Sequence, residues 1–442
     1  MKLTIERKEL LTALNVVKSA AAINGGYRRL PILSNVLINT FDKSVEFTCT
    51  DLDLVLRAKA DADIDTKGTI TVPVQLLHDL VRGFKAESLT LEMVKDDKLK
   101  VLRVKSGDSD CKLGTLPVEE FPPAPRLRDA YEIFVPQFIL RSLLTATAFA
   151  ASTDMTHYIL NGSLLRVNGN LTVAATNGRK LAVSSTDELE KSSRKDRDLI
   201  VPSAAIAVLF RLLDDNEESN KKCRITTAEN LVQFQIGDTV LTSNLIEGTY
   251  PDYQRIIPAA KGRGVALDRA ELLEALQRCA LISEVCRFEF KKQTLTLHSL
   301  NRHQVVGEAL ETLLVSAPDT PRATLNVTHL IEALRALDDD EIQFHASSAE
   351  CPVLLKTADK PWLAVFAQYP VEEKATPPLA AKANGNPNGH PTKAPGRGSA
   401  ETKVNGKESE TNGRTVTPAA PMATSQRQTT VAAKPVNGHT AK

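Results

Sequence analysis

Asp51 and Asp53 form the acidic pair whose spacing comes closest to a catalytic arrangement. They lie in the string TDLDL at residues 50–54. Because residues i and i+2 of a strand point to the same face, the two carboxylates could share a divalent metal, as in two-metal nucleotidyl transfer. The same alternation is also typical of an exposed strand, with the acidic residues in solvent and Leu52 and Leu54 in the core. We favour this second interpretation.

No other motif in the sequence indicates catalysis. It contains no Walker loop and no H-E-x-x-H, G-x-S-x-G or G-x-G-x-x-G motif, and its eight histidines are scattered. The six cysteines contain no C-x-x-C pair, which favours buried free thiols over zinc sites or disulfides. We therefore expect a protein that is not an enzyme and that holds no metal and no cofactor. A catalytic nucleotidyltransferase or nuclease subunit is the alternative, and it would need two or three acidic groups that converge on one point.

One pattern of a strand followed by a helix occurs three times along the chain. The copies read TVPVQLLHDL at 71–80, IVPSAAIAVL at 200–209 and LNVTHLIEAL at 325–334. The distance from Val72 to Val201 is 129 residues, and from Val201 to Asn326 it is 125. This period is too long for a solenoid repeat and has the size of a domain. The sequence therefore predicts three similar domains.

A second helical pattern opens each third of the chain, at residues 6–20, 136–150 and 268–283. In the first, Leu10, Leu14 and Val17 recur at helical spacing. Between the helices, segments such as SVEFTC at 44–49 alternate with the period of two that is typical of strands. Each third therefore has an α+β pattern of helix, strands, helix and strands.

Composition limits the classes of protein that the chain can form. It is 42% hydrophobic and 25% charged, which is ordinary for a globular protein, and no apolar run approaches the ~20 residues of a membrane span. The first eight residues carry charges where a signal peptide has its apolar segment. We expect a cytoplasmic protein with no membrane partner.

Charge and composition both change near residue 371. Residues 1–370 carry 45 Lys or Arg against 49 Asp or Glu, whereas residues 371–442 carry ten against five. The mildly acidic body argues against a protein that grips nucleic acid tightly through phosphate contacts. The last segment has one Leu and no Phe, Tyr, Trp, Ile or Cys. Such a segment cannot bury enough apolar surface to fold, so we expect a disordered tail.

Several strings, in order and at these separations, resemble the bacterial sliding clamp, the beta subunit of DNA polymerase III. In the first third they are LPILSNVLI (30–38), TDLD (50–53), TVP (71–73) and LPVEEFP (116–122). In the second they are YILNG (158–162), ATNGRKLA (175–182), IVP (200–202) and GTYPDYQRIIP (248–258). The resemblance covers about residues 1–370, and the tail has no counterpart in the usual family member.

The resemblance implies an α+β fold of three clamp-type domains, with helices inside and antiparallel sheets outside. The expected domains are residues 1–125, 126–258 and 259–370, followed by the tail at 371–442. Such chains pair head-to-tail into a ring that encircles double-stranded DNA without sequence preference. The expected function is that of a processivity factor, which tethers DNA polymerase subunits and the clamp loader through short peptide motifs.

The resemblance also implies three groups of site residues. The family's peptide pocket carries over to His157, Leu160, Thr176, Gly178, Arg179, Lys180, Leu181, Pro251, Arg255 and Ile256, with Val365 and Phe366 on the last strand. The DNA contacts carry over to Arg28, Arg29, Arg82 and Tyr158. The dimer interface carries over to Leu76, Cys111 and Leu113 on one side and Leu281 and Ile282 on the other.

The sequence departs from the family pattern near the pocket. The family usually has His where this chain has Arg179, and Arg where it has Lys180. Family chains commonly end in a short apolar strand like Met-Pro-Met, whereas here the string VFAQYP at 365–370 continues into the tail. The third domain is also the weakest match. These departures keep open a diverged accessory clamp with altered partners.

Overall fold

Each domain repeats one order of elements. A strand and a helix are followed by a meander of three strands, and a second helix is followed by a second meander of three strands. The computed structural model describes residues 1–370 except 22–29, 97–98, 126, 128–129, 192–195, 261–263, 300–306, 316–321 and 359. The predicted tail at 371–442 lies outside the described residues. None of the helices in the described part of the chain is long and apolar enough to cross a membrane.

The first domain contains nine strands and two α-helices. The strands are β1 (Lys2–Glu6), β2 (Asn35–Thr40), β3 (Ser44–Thr50), β4 (Leu54–Asp61), β5 (Asp63–Thr66), β6 (Thr69–Pro73), β7 (Ser88–Asp96), β8 (Leu99–Ser106) and β9 (Ser109–Gly114). The helices are α1 (Arg7–Val17) and α2 (Val74–Gly83). Leu10, Leu14 and Val17 are buried on one side of α1, which confirms the predicted apolar stripe.

The second domain has the same elements in the same order. Its strands are β10 (Tyr131–Pro136), β11 (Gly162–Val167), β12 (Leu171–Thr176), β13 (Lys180–Thr186), β14 (Glu190–Lys191), β15 (Arg197–Pro202), β16 (Lys222–Thr227), β17 (Leu231–Ile236) and β18 (Thr239–Asn244). Its helices are α3 (Gln137–Ala148) and α4 (Ser203–Leu212). Pro136, the first residue of the predicted helical segment 136–150, lies one residue before α3 as its N-cap, with φ −54° and ψ 136°.

The third domain follows the same order with eight described strands. They are β19 (Val265–Asp268), β20 (Val285–Lys291), β21 (Thr294–Ser299), β22 (Leu310–Leu314), β23 (Ala323–Asn326), β24 (Glu341–His345), β25 (Val353–Lys356) and β26 (Trp362–Phe366). Its helices are α5 (Arg269–Ala280) and α6 (Val327–Arg335). Asp268 caps α5, because its Oδ1 accepts the Glu271 N–H at 2.8 Å.

Among the described residues, all strand pairing is antiparallel, and two of the four sheets run across domain boundaries. The nine-stranded sheet joins the first and second domains through pairing of β4 with β18. The eight-stranded sheet joins the second and third domains through pairing of β13 with β26. The remaining sheets, of five strands (β5-β1-β7-β8-β9) and four (β22-β21-β20-β23), belong to the first and third domains alone.

The helices pack in pairs, α1 with α2, α3 with α4 and α5 with α6, and cover the sheets with their apolar faces. One core of buried side chains runs through the first two domains and includes Phe47 and Phe234. A second core fills the third domain, where the Phe288 and Phe344 rings stack with centroids 5.6 Å apart. Burial of these large apolar side chains is the main favourable term in folding.

The structure changes the expected position of Leu52. Its neighbour Leu54 begins β4 and is 4% exposed, as the alternation predicted. Leu52 itself is 54% exposed and has a φ of +84° in the turn between β3 and β4. The strand pattern failed here because the chain turns between the two aspartates instead of extending through them.

The hydrogen bond from Trp362 to Ala146, which joins the third and second domains, predicts an effect on stability. The indole N–H of Trp362, 3% exposed on β26, donates to the Ala146 carbonyl near the end of α3 at 2.8 Å. Trp362→Phe removes the donor, so we expect the free energy of unfolding to fall by about 1–3 kcal/mol. The measurement is urea denaturation.

The control is Phe290→Leu, which removes ring area from the same core without removing a hydrogen bond. If Trp362→Phe costs no more than this control, the indole hydrogen bond contributes nothing measurable to stability.

Candidate functional site

The turn at residues 176–180 shapes the surface at the end of β12. The Thr176 hydroxyl donates to the Lys180 carbonyl at 2.8 Å and accepts the Gly178 N–H at 3.1 Å. The Asn177 side-chain oxygen accepts the N–H groups of Arg179 and Lys180, both at 2.9 Å. Gly178 has a φ of +83° and open space where a side chain would stand. Glycine suits this conformation, which L residues with side chains rarely adopt.

An apolar cluster lies beside this turn, and it draws residues from two domains. Its buried members are Leu164, Ala174, Leu181, Val183, Ile200, Tyr250, Tyr253, Leu354 and Val365. Ile159, Leu160, Ile246, Ile257 and Leu363 pack against it and are partly exposed. We call this set the pocket cluster. Leu354, Leu363 and Val365 come from β25 and β26, so the cluster exists only where the second and third domains join.

Two short 3-10 helices that contribute side chains to the pocket cluster also carry four of the predicted pocket residues. His157 and Leu160 lie on the helix Met155–Leu160, with His157 exposed and Leu160 partly exposed. Arg255 and Ile256 lie on the helix Tyr253–Ile256, just after the exposed Pro251. The Arg255 guanidinium is 84% exposed and lies 2.8 Å from the Asp252 carboxylate. A pair this exposed is weak in water, so Arg255 is available to an incoming carboxylate or carbonyl.

Lys180 and Phe366 face away from the pocket cluster, which corrects two of the predicted positions. The β13–β26 register places Lys180 opposite Phe366 and Leu181 opposite Val365. Directly opposed residues share one face of a sheet, so Leu181 and Val365 face the pocket cluster together. Lys180 and Phe366 face the other side, where Phe366 is 2% exposed in the core of the third domain.

Lys180 forms a polar tie between the second and third domains. It is 6% exposed, and its Nζ pairs with the Glu332 carboxylate of α6. The same ammonium lies 5.6 Å from the centroid of the Phe149 ring. Burial, and then the positive charge of Lys180, lower the pKa of His329 on the same helix. The positive charge of Lys180 is therefore paired with groups of the protein itself.

Residues that follow β26 are fixed to the third domain by Gln368. Its side-chain oxygen accepts the Thr324 N–H at 3.2 Å. Its side-chain nitrogen donates to the carbonyls of Ser348 and Cys351, at 2.7 and 2.5 Å. The amide that the sequence placed near the pocket wall thus has its hydrogen bonds satisfied within the third domain.

Sequence reasoning missed two features beside the pocket. Tyr250 accepts the Thr176 N–H on its phenol oxygen at 3.0 Å, and burial raises its pKa to about 12. Arg166 binds Asp198 with two hydrogen bonds of 2.8 and 2.7 Å and lies 5.8 Å from the Tyr253 ring centroid. Both tyrosines stand in the GTYPDYQRIIP string, so the string itself was the signal. The Arg166–Asp198 pair has no signal in a single sequence.

The predicted DNA-contact residues are only partly visible. Arg28 and Arg29 lie outside the described residues. Arg82 is exposed in the last turn of α2, and Tyr158 is 57% exposed. The six helices carry eight Lys or Arg and five Asp or Glu, whereas residues 1–370 as a whole carry more acidic than basic residues. The helices are thus the more basic part of the body.

The predicted interface residues lie in the first and third domains. Leu76 on α2 is 53% exposed, and Leu281, just after α5, is 84% exposed, with Ile282 partly exposed beside it. Cys111 is partly exposed on β9. Leu113 on the same strand is 6% exposed and belongs to the core of the first domain. Its side chain therefore faces inward.

Asp51 and Asp53 stand in a turn and not on a strand face. The Asp51 Oδ1 atom accepts the N–H groups of Asp53 and Leu54, at 3.1 and 2.7 Å. Asp51 therefore has a structural task in the turn. Within the described residues, no three His, Cys, Asp or Glu side chains group as metal ligands. This geometry gives no support to the nucleotidyl-transfer alternative.

Three family models match the chain, one for each domain. The DNA polymerase III beta subunit models match residues 1–125 (N-terminal domain), 134–252 (central domain) and 254–365 (C-terminal domain). A beta sliding clamp of Pseudomonas aeruginosa is 31% identical over 365 residues, which are 81% of this chain and 96% of that protein. The beta sliding clamp of Escherichia coli K12 is 28% identical over 364 residues, at 81% and 96% coverage.

Solved structures agree with the sequence comparisons. A crystal structure of a Pseudomonas aeruginosa sliding clamp bound to griselimycin has a TM-score of 0.77 at 29% identity, covering 84% of this chain and all of that one. The Caulobacter crescentus polymerase III beta subunit has a TM-score of 0.75 at 29% identity, with the same coverage.

Three α+β domains, joined by continuous antiparallel sheets and with paired helices, define the class of DNA sliding clamps. Within that class, the chain belongs to the bacterial beta sliding clamp family, the beta subunit of DNA polymerase III. Its role is therefore that of a sliding clamp in DNA replication.

Burial divides the predicted pocket residues into a partly or largely exposed group, which includes Leu160 and Arg255, and core residues such as Phe366. Leu160→Ala and Arg255→Ala should each weaken a peptide with a Leu or Phe anchor, by about 1–3 kcal/mol if they are hot spots. Phe366→Ala should instead lower the free energy of unfolding by about 3–5 kcal/mol, because it empties part of a core. Peptide titration and urea denaturation of the same three variants measure both effects.

Normal peptide affinity in Leu160→Ala would place the binding site elsewhere. Unchanged stability in Phe366→Ala would contradict its placement in the core of the third domain.

Proposed function

We propose that two copies of the chain close head-to-tail into a ring around duplex DNA. In this ring, the pocket cluster receives short peptides of DNA polymerase subunits and of the clamp loader. We also propose domain boundaries at 125/126 and 258/259, with the tail beginning after residue 370. The main support for the ring is that both domain junctions pair strands of the same two kinds. One strand of each kind, in the first and third domains, has no such partner within the chain's described residues.

This pairing rule follows from the repeated order of elements. β4, β13 and β22 are each the third strand of the meander that follows the first helix of a domain. β9, β18 and β26 are each the last strand of a domain. At both junctions a strand of the first kind pairs with a strand of the second kind from the next domain, β4 with β18 and β13 with β26.

Two strands of these kinds are left over, and they belong to the first and third domains. Among the described residues, β9 and β22 each form the edge of a sheet. An exposed edge presents unpaired N–H and C=O groups and favours pairing with another chain. Leu310 and Leu314 on β22 are 65% and 84% exposed. Pairing of β22 with β9 of a second copy repeats the internal rule twice and closes a ring of six domains.

The internal junctions also set the expected register. Leu241 of β18 stands opposite Leu56, and Ala364 of β26 stands opposite Ala182. In the first domain, the residue equivalent to Leu241 and Ala364 is Cys111, because each is the third residue of its strand. In the third domain, the residue equivalent to Leu56 and Ala182 is Ala309, whose carbonyl accepts the Ser299 N–H at 2.9 Å. Cys111 should therefore face Ala309 of the second copy.

A ring also fits the distribution of charge. A protein that holds DNA by enclosing it needs no dense set of phosphate contacts, and a mildly acidic body is compatible with sliding. The helices, which are expected to line the hole, carry the net positive charge. Contacts from Arg82 and the other predicted positions would be to phosphate and without sequence preference.

The pocket cluster fits a short peptide with apolar anchors. Leu160 is partly exposed and packs against the buried pocket cluster, while Ile256 is 50% exposed and Arg255 is 84% exposed on the 3-10 helix that contributes Tyr253. Recognition of a short segment needs a few such anchors with a polar group to fix its direction.

The register gives a direct test of the ring. Ala309→Cys should form a disulfide between protomers with the native Cys111 under mild oxidation, because opposed residues on paired strands are close enough to bridge. Non-reducing gel electrophoresis should show a covalent dimer, and full oxidation should give a closed circle with two bridges. Ala309→Cys combined with Cys111→Ser is the matched control and should remain uncross-linked.

Cross-linking that survives in the double variant, or a monomer at micromolar concentration in native mass spectrometry, would contradict the proposed pairing.

DNA retention tests the enclosure itself. The Ala309→Cys protein is first loaded onto nicked circular DNA and then oxidised. The cross-linked ring should stay bound at high salt, because a closed ring cannot leave a circle. On linear DNA of the same length it should be lost, since it slides off the ends and salt weakens the phosphate contacts. Gel filtration of labelled protein with each DNA measures retention. Equal loss from both templates would argue against a ring.

A further inference from the structure

The first domain contains a second copy of the turn that shapes the pocket. At residues 50–54, the Thr50 hydroxyl donates to the Leu54 carbonyl at 2.8 Å and accepts the Leu52 N–H at 3.0 Å. The Asp51 side chain accepts the N–H groups of Asp53 and Leu54. These are the bonds of the turn at 176–180, position by position. We call the two the first-domain turn (50–54) and the second-domain turn (176–180).

The surroundings of the two turns also correspond. The Asn244 N–H donates to the Asp53 carbonyl at 3.0 Å, as the Ala367 N–H donates to the Arg179 carbonyl at 2.9 Å. Asn244 is the last residue of β18, and Ala367 directly follows β26, so each bond lies where a strand that joins two domains ends. The junction of the first and second domains is therefore built like the junction that carries the pocket.

An apolar cluster also lies in the first domain at the place of the pocket cluster. It consists of Ile32, Leu33 and Phe121, with Leu37 and Leu116 packed against it. Strand pairing of Asn35 with Pro73 and of Gly162 with Pro202 aligns the two domains. In this alignment Leu33 corresponds to Leu160, and Leu30 corresponds to His157.

Two exposed leucines distinguish the first-domain copy. Leu52 has a φ of +84°, where the second-domain turn has Gly178 at +83°. A bulky residue in this region is strained, whereas glycine is not. Leu52 is nevertheless 54% exposed, and Leu30 is 55% exposed. The chain thus holds a strained leucine whose side chain is largely in solvent, which points to a role outside the fold.

Three exposed carboxylates lie on the described elements of the first-domain copy. Asp53 is exposed at the position that Arg179 holds in the second-domain turn. Glu119 and Glu120 are exposed on the short 3-10 helix that precedes Phe121. A ligand that complements this surface needs positive charge next to its apolar group.

We propose that Leu30 and Leu52 form a second docking surface, for a short peptide segment of a partner protein with a Leu or Phe anchor flanked by Lys or Arg. The inference rests on the peptide binding proposed for the pocket cluster, because it extends that role to the equivalent place in the first domain. The two surfaces select different partners, since Asp53 stands where the second-domain turn has the basic Arg179.

Photo-cross-linking to the full chain tests the proposal with a defined probe. The probe is the acetylated, amidated peptide Lys-Lys-Leu-Lys-Leu-X, in which X is p-benzoylphenylalanine, and its control has Glu in place of every Lys. Mass spectrometry of the digested product identifies the labelled segment. We expect the lysine probe to label residues 30–54, and the glutamate probe to label them at least about tenfold less.

Two variants separate docking from folding. Leu52→Gly removes the anchor and relieves the strained backbone, so labelling of residues 30–54 should fall about tenfold or more while the thermal midpoint stays the same or rises. Leu160→Ala is the matched control, and it should reduce labelling near the second-domain turn while leaving residues 30–54 labelled as before.

The outcomes distinguish this inference from the proposed pocket. Labelling confined to residues 157–181 would overturn the first-domain surface and leave the pocket intact. Labelling of residues 30–54 alone would support the first-domain surface and count against the pocket for this probe. A lower thermal midpoint in Leu52→Gly with unchanged labelling would show that Leu52 serves the fold, and would overturn the proposal.

Discussion

Backbone pairing between domains is the interaction on which the rest of the structure depends. β4 pairs with β18 and β13 pairs with β26, so two sheets continue from one domain into the next. A slip of one residue in either pairing would turn every side chain of that strand to the opposite face. The pocket cluster, which combines Leu181 of one domain with Val365 of the next, therefore exists only because this register is fixed.

Polar ties reinforce the pairing of the second and third domains. The Lys180–Glu332 pair and the hydrogen bond from Trp362 to Ala146 both cross the junction, and in the ion pair Lys180 is buried whereas the Glu332 side chain is 41% exposed. Such an ion pair contributes little net stability, because desolvation of the buried Lys180 ammonium offsets its attraction to the carboxylate. Loss of one partner is costly, however, so such a pair opposes any arrangement of the domains that would separate it. These contacts make the junction specific as well as strong.

A repeated frame with different side chains gives each junction its own surface. The first-domain and second-domain turns share their hydrogen bonds, yet Leu52 replaces Gly178 and Asp53 replaces Arg179. Backbone and capping bonds hold the turn, so the residues that project from it can change without loss of the fold. The same frame can therefore present an apolar pocket at one junction and an acidic rim with exposed leucines at the other.

The sequence by itself determined the three repeats, the family and the helical faces, because these depend on local patterns. The stripe of Leu10, Leu14 and Val17 is one example. It did not determine which way Lys180 and Phe366 point, since alternation shows only that neighbouring residues face opposite sides. Only the tertiary structure decided this: Lys180 meets Glu332, 152 residues further along the chain, and contacts at that distance leave no trace in the local pattern. For the same reason, the exposure of Leu52 depended on a turn that strand periodicity cannot reveal.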